Sequence, residues 1–143
     1  MMRHRIAALT TATLLLAGGA LGGATSASAT VDPGTSWDHT WTTSDADHGG
    51  TVYVEEHGDI VSVCDSAADG MAPRVEVFVQ GGSGQYNPRY TIAATGGLGS
   101  CTTVSASDGG AYDLPENVSI MVSIWLGTSV GHFGSEHVYL NDH

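Results

Sequence analysis

Gly127-Thr128-Ser129-Val130-Gly131 is the sharpest chemical motif in the chain, because it fits the GxSxG pattern in which a serine hydrolase mounts its nucleophile. That chemistry needs a strand, a sharp turn and a helix that lifts the serine above a parallel sheet, with an acid and a histidine arriving later. Glu136 and His137 do follow Ser129, but the residues after the motif alternate as a strand would. A hairpin loop between two strands accounts for both glycines more simply. A second pattern begins at Asp65. Counted to Glu76, it has Asp at positions 1 and 5, Gly at 6 and Glu at 12, which echoes a calcium loop. Position 3 is Ala67, which offers no side-chain oxygen, and the flanks read as strands where the motif requires helices. A polar turn ending a strand is the expectation, with Asp65 and Asp69 the residues that would take calcium in the alternative.

Aromatic side chains make the third candidate. Trp37, His39 and Trp41 occupy every second position, which puts three rings on one face of an extended segment. Such a row can stack sugars, and Trp37, Trp41 and Trp125 with Tyr86 or Tyr90 form the candidate ligand set. The plainer expectation is an edge strand laid over a core. Six histidines follow residue 29, but His132 and His137 are five apart, and His39, His48 and His57 are nine apart across expected turns. No local transition-metal motif results, and solvent-exposed histidine is expected.

The elements that must position these residues follow a leader. Met1 to Arg5 is basic, Ile6 to Leu21 is apolar, and Ala27-Ser28-Ala29 supplies the small residues a signal peptidase reads. A secretory signal peptide over 1–29 is expected, without a membrane anchor in the mature form. Residues 30–50 are polar and read as a candidate edge strand, and 51–143 as the folded domain. Within it, Val52 to Glu55 and Ile60 to Cys64 flank the turn His57-Gly58-Asp59, where glycine is expected to take the positive φ. Val75, Val77 and Val79 alternate with Glu76, Phe78 and Gln80. Tyr90, Ile92 and Ala94 follow, then Cys101 to Ser105. Val118, Ile120, Val122, Ile124 and Leu126 make the clearest strand, and Phe133 to Leu140 the last. Glycine is too frequent for long helices.

Seven or eight short strands separated by turn signals predict an all-β, single-domain antiparallel β-sandwich of immunoglobulin-like architecture. Cys64 and Cys101 are the only cysteines, so one disulfide between them is expected, joining strands that face each other across the core. A true immunoglobulin domain would place a tryptophan between its paired cysteines and none lies there, so the expectation is the architecture and not that family. The charge excludes one class of function. Once Arg3 and Arg5 leave with residues 1–29, only Arg74 and Arg89 oppose fifteen acidic residues, and there is no lysine. Such a chain is repelled by phosphate backbones, so nucleic acid is not an expected partner.

Three stretches complete the reading: CDSAADG at Cys64 to Gly70, GGLGSC leading into Cys101, and SDGGAYDLPE at Ser107 to Glu116. In these stretches the chain resembles small signal-bearing secreted proteins of Streptomyces and related actinobacteria. The resemblance implies secretion and a β-sandwich, and carries over no catalytic residue. The resulting expectation is a secreted, non-enzymatic binding module for an extracellular protein or a cell-wall component, with no cofactor. A small-molecule or carbohydrate binder using the aromatic set is the alternative, and a small hydrolase using Ser129 and His137 the third reading.

Overall fold

Alternation of apolar and polar residues fixes eight strands, and their pairing divides them between two sheets. The computed structural model describes residues 32–34 and 36–143, so the expected signal peptide lies outside the described residues. The strands are β1 (His39–Thr42), β2 (Gly50–Glu55), β3 (Ile60–Asp65), β4 (Pro73–Gln80), β5 (Tyr86–Ala93), β6 (Cys101–Val104), β7 (Val118–Leu126) and β8 (Ser135–Asn141). One sheet runs in the order β1-β2-β3-β6 and the other β5-β4-β7-β8, with every pairing antiparallel. Among the described residues the only helical pieces are two short 3-10 turns between β6 and β7, Ala106–Asp108 and Gly110–Tyr112. The chain is therefore an all-β sandwich, and the polar 30–50 segment supplies its edge strand β1.

The core is made by the inward residues of both sheets. Val52, Val54, Val61 and Val63 come from one, and Val75, Val77, Ile120, Val122 and Ile124 from the other, all fully buried. Leu114 plugs the interior from the β6–β7 connection, just before the proline that keeps this stretch out of a sheet. Burying such side chains at roughly 1.5–3 kcal/mol each is the main force holding the sheets together. Gly50, on the first sheet, packs closely against Pro73 of the second. A Cβ there would lie 2.6 Å from Pro73 Cβ, so only glycine fits.

Two expectations are corrected by pairing. Cys64 and Cys101 are bonded, but they are direct neighbours on β3 and β6 in one sheet, with Cα atoms 4.1 Å apart. Because Val61 and Val63 point inward, Cys64 points to the outer face: the bond staples one sheet and does not cross the core. In the β2–β3 turn, the positive φ belongs to Asp59 (51°) and not to Gly58. Aspartate tolerates this region, and here its carboxylate accepts hydrogen bonds from the Leu114 amide (2.8 Å) and Asn141 Nδ2 (3.1 Å).

Candidate functional site

The arrangement that the third, hydrolase reading would need is not assembled. Gly127 to Gly134 is a loop that leads into strand β8, where the motif would need a helix. Ser129 is exposed there, and its carbonyl accepts a hydrogen bond from the His132 amide. His137 instead shares a hydrogen bond with Ser135 Oγ (3.1 Å) and stacks on Trp41. Glu136, its chain neighbour on β8, points to the opposite face, so it cannot orient the imidazole.

The acidic turn does not form a calcium loop either. Asp65 ends β3 and is buried, with Oδ1 accepting from the Ala67 amide (3.3 Å), while Asp69 Oδ1 accepts from Met71 (2.7 Å). Ala67 is buried and Glu76 lies on the outer face of the second sheet, opposite Ser123. Burial pushes the Asp65 carboxyl above the usual range, against the Ala67 hydrogen bond, and Asp69 adds to the rise. A shallow pocket of about 390 Å³ does open here, lined by Asp65, Ala68, Gly70, Thr95 and Leu98.

The candidate aromatic set is divided among three surfaces. Trp41 and His39 face inward at the sandwich edge. Trp41 stacks between His39 (5.0 Å, 8°) and His137 (4.7 Å, 2°), with Tyr139 packed beside both Trp41 and His39. Trp37 precedes β1 and packs on Tyr53, which alternation places on the outer face of the first sheet. The row of three rings is thus broken at Asp38. Trp125 lies on the outer face of the second sheet, opposite Arg74, and is only 3% exposed. Tyr86 shares that outer face, whereas Tyr90 pairs with Val77 and points inward against Tyr112. Burial pushes the Tyr90 hydroxyl far above its ordinary pKa, and the same holds for Tyr139.

The stack has a structural job. It closes the side of the sandwich where β1, the edge of one sheet, meets β8, the edge of the other. Ser135 Oγ donates to the Thr42 carbonyl (2.9 Å) and the Ser44 amide to the Phe133 carbonyl (2.9 Å), so hydrogen bonds stitch the same seam. His39 and His137 are therefore half-buried on either side of Trp41, unlike the expected exposed histidine, which His48, His57, His132 and His143 are. Burial lowers the pKa of His137. His39 Nε2 donates to Glu56 Oε1 (2.6 Å), and sequence spacing gave no sign of that partner, seventeen residues away across a hairpin.

What remains open is the outer face of the β5-β4-β7-β8 sheet. Register places Phe78, Met121 and Val138 side by side across β4, β7 and β8, with Leu140 next along β8. Val138 is 55% exposed and Leu140 52%. Glu76 and Glu136 flank Ser123 on this face, and a shallow pocket of about 310 Å³ lies by Ser123 and Glu136 under the Gly131–Gly134 loop. No family model, curated protein or solved structure matches the chain.

Proposed function

We propose that the protein is a secreted, non-enzymatic binding module whose partner is an extracellular protein with an apolar contact surface and a basic rim. The observation that carries this reading is the exposed apolar row on β8. An edge strand is usually blunted by charge, because its unpaired backbone and any apolar side chains invite association. Here Val138 and Leu140 stand in solvent and continue an apolar line through Met121 and Phe78. Contiguous exposed apolar surface of this kind marks interaction sites. The acidic flank at Glu76 and Glu136, on a chain of formal charge −11, favours a cationic rim on the partner. The leader pattern and the disulfide support an oxidising, extracellular setting.

The test is capture by the immobilised, oxidised chain from the secreted proteins and cell-wall fraction of the producing organism, with a Val138→Glu/Leu140→Glu double variant in parallel. Surface substitutions usually change stability by about 0.5 kcal/mol or less, so the variant is expected to fold. A saturable protein retained by the wild type and lost by the variant supports the reading. Equal capture by both, or retention of a wall polymer alone, overturns it. A concentration-dependent dimer abolished by the variant assigns the face to a second copy instead.

A further inference from the structure

We propose that Glu56, Asp142 and His143 form a binding site for a divalent transition metal of the zinc class, at the end of the sandwich away from the disulfide. The three residues come from the β2–β3 turn and from the chain just beyond β8, so the fold brings together segments far apart in sequence. One potential ligand atom from each lies within 4.8 Å of the others. His143 Nε2 is 3.5 Å from Asp142 Oδ1 and 4.0 Å from Glu56 Oε2. Tetrahedral zinc with bonds near 2.0–2.2 Å holds its ligand atoms about 3.3 Å apart. The observed spacings, from 3.5 Å to at most 4.8 Å, are wider than that. Asp142 and His143 side chains are each about half exposed (52% and 53%), so they are free to close the difference by rotation.

Glu56 supplies an independent observation. Its side chain is only 9% exposed, and His39 Nε2 holds Oε1 at 2.6 Å while the backbone amide of Glu56 is held by Asp38 Oδ2 at 2.8 Å. This leaves Oε2 turned to His143 with no hydrogen bond among the described residues. A buried carboxylate, oriented through one oxygen by a histidine and presenting the other, is how an outer partner prepares a metal ligand. Among the described residues, neither arginine is available to these carboxylates. Arg89 is engaged with the carbonyls of Gly110, Ala111 and Asp113, and Arg74 lies opposite Trp125 on the second sheet's outer face. A divalent ion would neutralise two carboxylates that no arginine among the described residues reaches.

The donor set selects the metal. Calcium and magnesium take oxygen ligands, whereas an imidazole nitrogen with carboxylates suits zinc, cobalt or nickel. The ion would tie a turn of the first sheet to the end of β8 in the second, a link the disulfide does not make.

The test uses the untagged, disulfide-bonded chain. Titration calorimetry with zinc chloride and visible spectroscopy with cobalt(II) should show one saturable site with tetrahedral cobalt bands. Zinc at a hundredfold excess over its dissociation constant should raise the melting temperature by about 10 °C. His143→Ala and Asp142→Asn, both at exposed positions, should each weaken zinc at least tenfold, and His39→Phe about 10–100-fold through the orientation of Glu56. His132→Ala should bind as the wild type does. Absence of a saturable site up to millimolar metal, or affinity unchanged in both His143→Ala and Asp142→Asn, would overturn the proposal.

Discussion

At the end of the sandwich where β3 runs into the Asp65–Gly70 turn, three carboxylates are bent back onto nearby backbone. Asp45 Oδ2 accepts from the Gly49 amide, Asp65 from Ala67 and Asp69 from Met71. At the opposite end, Glu56 and Asp59 reach across the fold: Glu56 to His39 and His143, Asp59 to Leu114 and Asn141. The same residue types thus shape loops at one end and join distant segments at the other. Local hydrogen bonds leave a carboxylate little freedom for a ligand, whereas Glu56 Oε2 keeps its capacity. Acidic density alone is therefore a poor guide to a site, and the direction in which each oxygen is already bonded is a better one.

The comparison can be broken in several ways, beginning with the covalent staple at the acidic-turn end. Replacing both Cys64 and Cys101 by alanine opens a loop with a sequence separation of 37 and should cost about 4 kcal/mol, lowering the melting temperature by about 15 °C or more. Calorimetry on the oxidised wild type and the variant measures it; a change of only a few degrees would mean that the sheet pairing holds β6 without the bond. Next comes Asp59→Ala, which leaves the buried Leu114 amide without its acceptor and Asn141 Nδ2 with only the Pro115 carbonyl, and should cost about 3 kcal/mol by urea unfolding. Asp69→Ala, removing a local bond at the exposed end, should cost about 1 kcal/mol or less. Equal costs for the two would erase the contrast between the ends.

The seam between β1 and β8 gives a pH effect of smaller size. Burial lowers the pKa of His137 below its unfolded value of 6.5, so the folded state favours the neutral ring stacked on Trp41. The stabilisation this represents is present above the unfolded value and is lost as pH falls through the folded one. Melting temperature should therefore drop between neutral pH and about 5 more steeply in the wild type than in His137→Gln. Parallel profiles would remove His137 from the account of the seam. Smallest of all, Ser129→Ala in the exposed hairpin loop should alter stability by less than about 0.5 kcal/mol, and a larger loss would give the serine a role its exposure does not suggest.

Much of the strand pattern was legible because its cause is local. Val118 to Leu126 alternates without interruption, and the same period in Val75 to Val79 reports one buried face whatever the strand pairs with. The Asp59 conformation was not legible in the same way. Glycine next door looked the better candidate for positive φ, but the Asp59 carboxylate finds two buried donors only in the folded chain. Likewise, Trp37 keeps the spacing of a strand residue yet lies outside β1, since the sheet ends where Asp38 turns its carboxylate to the Glu56 amide.

The sequence by itself determined the all-β class, the positions of most strands and the single cysteine pair, because these depend on side-chain period and on there being only two cysteines. Tertiary structure alone decided that the pair lies within one sheet, that three tryptophans occupy three surfaces, and that Glu56 meets Asp142 and His143. Those facts depend on which strands pair and in what register, and register is settled by burying both inner faces at once, a condition no local stretch of sequence contains.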